Sequence, residues 1–577
     1  MSSHIILRKH SVPNFWKLIL GLEIILWIPV IFIGFDSHHD GLILTNINLL
    51  KDSLQNNGDW PFNQYGPFWI IPYSLITYFL PSNLVYLGIR VITVGFYFLT
   101  SYLIFLCAKT ISTRRLAYIS VLTFFFSQPF LTNYGTDLVP WPSAVVMPIT
   151  TLIFLFMIEI YKESLSKTNL AIKSVVIGML LSAVLFSRVQ IGLLLLVSII
   201  FFMGFNRKFK SMYLIIIGFS ALTLIILFFL MWRGWLNDAI SDQYVFGSIY
   251  LRGDTSSYPF PIFTIIGIIF FLVLIAIGPI LSKTLSNKNT FIAFAVISFC
   301  AVVVIYLLFK DSRNLSMINA GVVILRRFWI SYFLAIIIFS IFEQAKKSYM
   351  NFKENKIFDE NLILRNCLVM ISFISELQIF PLYDQMHFWW GSVPAVILVI
   401  LISKERFFEN NLIIQLNGKI TNYLIIFFTI LTIIPLTVHY NASYNKMPTN
   451  ISKYIYVPQK QSLDEVKLQQ FFNSNLVVNS TILNLCADAN VFFNNGNYKS
   501  SSRIYVVWLS MSEVNTMYDS LSYSKPDFVV TCSWNRIPGL QKQGEAWQRK
   551  ILLNSIENPI LVASYAAAPE TIWRIYK

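Results

Sequence analysis

Long apolar runs alternate with short polar interruptions along most of this chain, and then the pattern changes. Crossing a bilayer takes roughly 20 apolar residues, fewer where short helices pack inside a bundle. On that measure the sequence predicts about thirteen spans. Their cores fall at 17–35, 84–106, 116–131, 142–161, 171–187, 189–206, 211–232, 262–281, 290–309, 324–342, 361–380, 388–403 and 420–439. Two splits rest on short polar interruptions, Ser187-Arg188 and the stretch from Asp384 to His387. From about residue 440 the hydropathy falls. Val477–Leu485, Arg503–Leu509, Asp527–Cys532 and Pro559–Ser564 are β-rich, and Leu463–Asn473, Glu513–Leu521 and Ala546–Ile556 read as helices. Ser462 with Glu465, and Ser510 with Glu513, have capping-box spacing. That order predicts a small α/β domain over 440–577 with a largely parallel sheet, behind a membrane domain over 1–439.

The segment 36–67 does not follow the span pattern. Ile43, Ile47, Leu50 and Leu54 recur at helical spacing, with Asn46, Asn48, Asp52 and Gln55 between them. This predicts an amphipathic helix lying in the membrane interface, ended by Gly58 and Pro61. Tyr65-Gly66-Pro67 then turns the chain back into apolar sequence.

Composition agrees with a polytopic membrane protein. The chain is 56% hydrophobic and 13% charged, where a soluble domain carries about 25% charged residues; mean hydropathy is +0.62. The net charge of +15 does not point to nucleic acid, because the basic residues recur in small clusters between apolar runs. Lys109/Arg114/Arg115, Arg207/Lys208/Lys210 and Lys346/Lys347/Lys353/Lys356 are among them. The positive-inside rule puts these loops and the N-terminus in the cytoplasm. An odd number of spans then places the C-terminal domain outside. Arg8, Lys9 and Lys17 precede the first run with no small-residue cleavage site after it, which reads as a signal anchor. With this topology Asp36–Pro67, Tyr134–Pro142, Arg188, Trp235–Pro261 and Tyr383–His387 all share the outer side. Five cysteines show no metal-binding spacing. Cys486 and Cys532 are placed to form a disulfide if their domain is extracytoplasmic. Asn441, Asn450 and Asn479 sit in sequons that matter only in a glycosylating pathway. Richness in Ile, Asn, Lys and Phe fits an AT-rich, bacterial genome, hence a bacterial cytoplasmic membrane.

The chemistry concentrates on that outer side. Phe35-Asp-Ser-His-His-Asp40-Gly41 packs two carboxylates and two imidazoles into five residues where the first span meets water. Asp40 is placed to act as a general base toward a hydroxyl, or as a solvated loop residue. Asp40 and His39 are also the pair that would help hold a divalent cation, although His-His-Asp is too compact to define a site. Asp137 lies in Asn133-Tyr-Gly-Thr-Asp-Leu-Val-Pro-Trp-Pro142, either as a second acidic group or as a helix-entry residue. Arg90 and Arg188 sit near outer span ends, where arginine either pairs with phosphate or snorkels to headgroups. Asp384 and His387 are spaced i,i+3, which puts both on one helical face. Glu23 and Glu376 lie within spans, and Arg326/Arg327 near an outer boundary. The C-terminal domain has no GxGxxG and no P-loop, so no nucleotide is assigned to it.

One N-terminal span, Asp40-Gly41, an interfacial helix, Gly58 with Phe62, Gln64-Tyr65-Gly66-Pro67 and a span opening Leu87-Gly-Ile-Arg90 together resemble the first-loop signature of the GT-C superfamily of membrane glycosyltransferases. That group includes protein O-mannosyltransferases and aminoarabinose transferases. The resemblance is most specific over residues 35–110 and architectural beyond. It implies an inverting enzyme that moves a sugar from a polyprenyl-phosphate donor to a hydroxyl of a glycan, lipid or protein, with Asp40 as base. It further implies that Asp36, His39, Arg90, Arg188, Asp384 and His387 contact substrate. Many members carry Asp-Glu where Gly41 follows Asp40, so the second acidic function falls to Asp36 or Asp137. A transporter or flippase for a lipid-linked glycan also predicts many spans, but more often with internal repeats, and no convincing repeat is present. A polysaccharide polymerase or ligase would carry a larger central outer loop than 233–261.

Overall fold

A computed structural model describes residues 21, 27–28, 30–34, 39–58, 60, 65–131, 138, 140–162, 166–240, 242–243, 262–284, 317–354, 359–379, 385–407, 444–446, 455–458, 470–471, 474–475, 480–485, 498–500, 526–533, 541–567 and 571–577. The predicted spans 290–309 and 420–439, the strand Arg503–Leu509, the helix Glu513–Leu521 and the three sequons lie outside these residues.

Apolar periodicity sets the order of helices. They are α1 (His39–Asn56), α2 (Ile71–Tyr78), α3 (Ser82–Ile111), α4 (Arg114–Leu131), α5 (Pro142–Tyr161), α6 (Lys167–Leu185), α7 (Val189–Phe205), α8 (Phe209–Trp232), α9 (Ile262–Thr284), α10 (Met317–Lys353), α11 (Glu360–Glu376), α12 (Gln385–Gly391) and α13 (Val393–Phe407). Among the described residues six helices are long and apolar enough to cross a membrane: α3, α5, α6, α8, α10 and α11. Four shorter apolar stretches join them, in 68–78, α4, α7 and α9. α5 is buried along nearly its whole length, so it is the central post of the bundle. α8 instead leaves Phe209, Tyr213, Leu224, Phe228 and Trp232 exposed, as a helix facing lipid does. α6 and α8 cross backbone to backbone. A Cβ on Gly178 would collide with the Ile215 carbonyl, and one on Gly218 with the Val175 carbonyl. Small residues permit that approach in membranes.

Charged side chains pair across neighbouring helices. Arg406 donates to Glu343 at 2.7 Å, and Lys347 reaches the same carboxylate at 3.0 Å. Arg365 pairs with Glu405, and Lys173 with Glu159.

The α1 helix forms as predicted, but its apolar face has another neighbour than expected. Ile43, Leu44, Ile47 and Leu50 are buried in one cluster with Trp69, Tyr73 and Ile89. Ile482, Phe528, Val530 and Ile575 of the C-terminal sheet belong to the same cluster. Protein therefore covers the face assigned to the membrane interface, and only Leu54, 45% exposed, remains outside. Helix α1 ends in a Schellman turn: Asn57 takes the left-handed conformation (φ 52°) and the Gly58 N–H donates to the Ser53 carbonyl at 3.1 Å.

Among the described residues the C-terminal region carries seven strands: β1 (Tyr444–Lys446), β2 (Tyr456–Pro458), β3 (Ser480–Asn484), β4 (Tyr498–Ser500), β5 (Phe528–Cys532), β6 (Leu561–Ala567) and β7 (Thr571–Tyr576), with helix α14 (Gln541–Ser555) between β5 and β6. The main sheet runs β4-β3-β5-β7-β6. Its first three strands are parallel, and β7 is antiparallel to both β5 and β6. The expected largely parallel sheet is thus mixed. The chain returns after β6 through a terminal hairpin, and a hairpin is necessarily antiparallel. Alternate residues of β3 and β5 serve two cores. Ile482, Phe528 and Val530 join the α1 cluster, whereas Leu483 and Val529 join the main bundle cluster. Period-2 side-chain alternation gives that division directly.

Candidate functional site

The turn at Tyr65-Gly66-Pro67 is seated on a break between two helices. α6 stops at Leu185, and Arg188 caps α7 in an extended conformation (φ −149°, ψ 95°). The Phe68 N–H donates to the Phe186 carbonyl at 3.0 Å. Gly66 has φ +103°, and a Cβ there would stand 2.5 Å from the same carbonyl and 3.1 Å from the Gln243 amide nitrogen. Glycine is what this close approach requires. Arg188 is buried, and its guanidinium lies 5.5 Å from the centre of the Tyr65 ring, within cation–π range. Tyr65 in turn meets Trp141 edge-on at 5.0 Å. The structure so brings together elements of four segments: Tyr65-Gly66, Trp141, Arg188, and Gln243 after α8 beside the buried Asp242.

A second clamp holds the end of α1. Arg233 donates to the Asn57 side-chain oxygen at 2.8 Å and to the Ser53 carbonyl at 2.6 Å. The Trp235 indole N–H donates to the Gly58 carbonyl at 2.9 Å, and its ring packs on Trp60. A cation over the last carbonyls of a helix is favourable.

Arg90 corrects the sequence reading. It is 1% exposed and spends all five N–H donors inside the protein. They go to the carbonyls of Val30, Ile31, Ile33 and Gly34, and to the Tyr86 hydroxyl, at 2.6–3.1 Å. It satisfies the carbonyls at the end of the first span and has no donor left for a substrate phosphate. Arg90 is a structural residue.

The other predicted residues fall as follows. His39 and Asp40 open α1. Asp36, Asp137 and Asp384 lie outside the described residues, as do Glu23, Cys300 and Cys486. His387 lies on α12, 5.3 Å from the Trp390 ring and edge-on to it. Trp389 on the same helix stacks on Phe124 and donates its indole N–H to the Phe124 carbonyl at 3.2 Å. The aromatic run is therefore bundle core and not an interfacial belt. Arg326 is buried, and the carboxylate of Glu376 lies deep at the end of α11. No group of three or more His, Cys, Asp or Glu side chains suited to a metal occurs among the described residues.

Cys532 is disulfide-bonded, with its partner outside the described residues, while Cys107 and Cys367 are free and buried. β2 meets the exit of the first span. Ile33 forms a parallel bridge with Tyr456, and the Gly34 N–H donates to the Tyr456 carbonyl at 2.9 Å.

No family model matches the chain, and no curated protein matches it. Several solved structures are similar. One is the archaeal oligosaccharyltransferase AglB from Archaeoglobus fulgidus, in complex with an inhibitory peptide and a dolichol-phosphate. It aligns over 90% of this chain and 69% of its own at 10% identity, with a TM-score of 0.45. The apo form of the Archaeoglobus fulgidus oligosaccharyltransferase aligns over 93% and 71% at 12% identity, TM-score 0.47. ArnT from Cupriavidus metallidurans bound to undecaprenyl phosphate aligns over 97% and 98% at 10% identity, TM-score 0.44. At such identities the likeness assigns no role to any residue.

Proposed function

We propose that this chain is an integral-membrane glycosyltransferase that moves a sugar from a polyprenyl-phosphate carrier to an acceptor hydroxyl on the outer face. The observation that carries the reading is the seating of Tyr65-Gly66-Pro67 on the α6–α7 break, with Arg188 buried beside it. A buried arginine where outer loops converge is a cation placed for a phosphate. The residues read in the sequence as a GT-C first loop supply the carboxylates.

In this mechanism the acceptor oxygen attacks the anomeric carbon while Asp40 takes the hydroxyl proton. The bond from the anomeric carbon to the phosphate oxygen breaks, and the polyprenyl phosphate leaves with its electron pair. Attack and departure on opposite faces invert the configuration. Arg188 stabilises the charge that grows on the departing phosphate, the kind of preorganised electrostatic contribution that dominates many active sites. Asp36 or Asp137 supplies the second acidic group, and Asp384 with His387 holds the sugar or phosphate. Arg90 has no part in this beyond fixing the first span. The disulfide at Cys532 fits an oxidising compartment and so an extracytoplasmic C-terminal domain.

The test is transfer of label from polyprenyl-phosphate sugars in membranes, comparing wild type with Asp40→Asn at matched expression. Loss of roughly 100-fold or more in the variant is expected of a missing general base. Equal transfer in both sinks Asp40 as the base. Absence of transfer from wild type across a broad donor panel favours a carrier of lipid-linked glycans.

A further inference from the structure

Helices α1 and α8 meet at their C-termini. α8 closes in a Schellman turn. Gly234 takes a positive φ of 71°, its N–H donates to the Met231 carbonyl at 3.0 Å, and the Trp235 N–H donates to the Leu230 carbonyl at 2.8 Å. α1 closes in the same kind of turn at Asn57-Gly58. A helix C-terminus carries about half a negative charge, so two of them brought together repel. Arg233 lies at this junction. It caps α8, donates to the Asn57 side-chain oxygen and to the Ser53 carbonyl of α1, and its guanidinium stands 4.6 Å from the centre of the Trp235 ring. The Trp235 indole N–H adds a bond to the Gly58 carbonyl.

Directional bonds thus hold the last turn of α1 to the end of α8. The apolar face of α1 is buried as well, but apolar burial is non-directional and by itself lets a helix slide or rotate. α1 runs unbroken for 18 residues from His39 to Asn56, about 27 Å at 1.5 Å per residue. What fixes its last turn therefore also fixes the place of its first, which carries His39 and Asp40. α8 in its turn crosses α6 backbone to backbone at Gly178 and Gly218. α6 ends at the break where Gly66 is seated and Arg188 begins α7. One pair of helices, α6 and α8, is thereby the common reference for the Asp40 end of α1 and for Arg188.

We propose that Arg233, with Trp235 beside it, is a positioning residue of the transfer reaction. Its cation neutralises the two helix ends that it joins, and so sets the register of α1 against the Arg188 site. The assignment rests on the glycosyltransferase reading and adds to it a residue that acts through α1 and not on substrate.

Two measurements on the detergent-solubilised full chain test it. One is transfer from a labelled polyprenyl-phosphate sugar. The other is the distance between spin labels at Lys51→Cys on α1 and Ile217→Cys on α8, both exposed positions. In Arg233→Gln the distance distribution is expected to shift or broaden beyond that of the parent. kcat per folded molecule is expected to fall roughly 10- to 100-fold with KM for the donor within about threefold. Arg233→Lys returns a cation to the two helix ends and is expected to recover kcat about tenfold over the Gln variant, together with most of the parent distance. A merely structural arginine would lower the yield of folded protein and leave kcat per folded molecule alone. An unshifted distance overturns the proposal, as does a shifted distance with kcat unchanged. A raised KM with kcat unchanged also overturns it, because that pattern marks a contact to the ligand. Should Arg233→Gln fail to fold, Trp235→Phe removes one bond and keeps the ring. A smaller fall in kcat is then expected, and none overturns the proposal. Should wild type transfer nothing, the glycosyltransferase reading fails and the label distance decides alone: a shift supports Arg233 as the residue that sets α1, and its absence overturns that.

Discussion

Arg90 and Arg188 look alike in the sequence, each a single arginine near one end of an apolar run, yet their surroundings in the structure differ. Arg90 is committed to four backbone carbonyls and a tyrosine hydroxyl. Arg188 stands over an aromatic ring where loops meet. Replacing Arg90 with Gln strips hydrogen bonds from buried carbonyls. The expected loss of stability is about 3–5 kcal/mol, the range seen when one member of a buried charged arrangement is removed. It is read as a lower melting temperature in detergent, together with lost transfer. Arg188→Gln should lower transfer while costing less stability than Arg90→Gln, and equal destabilisation by both variants would contradict the division. The distinction was not legible from sequence because the partners of Arg90 lie about 60 residues earlier in the chain. Glu376 was visible as a charge inside a span. What marks it out is that neither carboxylate oxygen has a hydrogen-bond partner among the described residues, and that is a property of packing.

Elements were legible where their cause is local. The periodicity of Ile43, Ile47 and Leu50 predicted α1, and Ser187-Arg188 marked the α6–α7 break. The covering of α1 was not legible, because an apolar stripe has the same spacing whether it faces lipid or a sheet. β7 was missed for a similar reason, since its antiparallel pairing with β5 joins residues 573–576 to 529–532. Two glycines carry testable geometry. Gly66→Ala forces a side chain into a positive-φ position against the Phe186 carbonyl. Such strain costs on the order of 1–3 kcal/mol. The turn is expected to lift from the helix break and transfer to fall roughly 10- to 100-fold, as small misplacements do. Gly218→Val drives a branched side chain into the α6 backbone. A loss of about 1–3 kcal/mol or more is expected in a melting experiment, whereas Gly95→Val on α3, with open space at its Cβ, should cost far less.

At the scale of the molecule, composition alone fixed a polytopic membrane protein, and the charge pattern gave one outer face to loops that the structure does bring together. The count of about thirteen spans meets six long apolar helices and four shorter ones among the described residues. Hydropathy measures apolar length and does not say which helices pack short inside a bundle. The C-terminal region, read as a separate α/β domain, shares its core with α1. Stabilising that region should therefore stabilise the first loop. Cys532→Ser removes the disulfide at the end of β5, and a loss of about 2–4 kcal/mol is expected. Dithiothreitol should reproduce the loss in wild type and add nothing in the variant. A variant insensitive to reductant but melting with wild type would show the bond to be idle.

The bridge between Ile33 and Tyr456 joins the first span to a strand that leaves the ribosome more than 400 residues later. At bacterial and eukaryotic synthesis speeds that interval is on the order of tens of seconds. During that time the first span is already threaded, while the strand that receives the Gly34 amide does not yet exist. A product that stops before residue 456 would carry a first span whose end lacks that hydrogen bond.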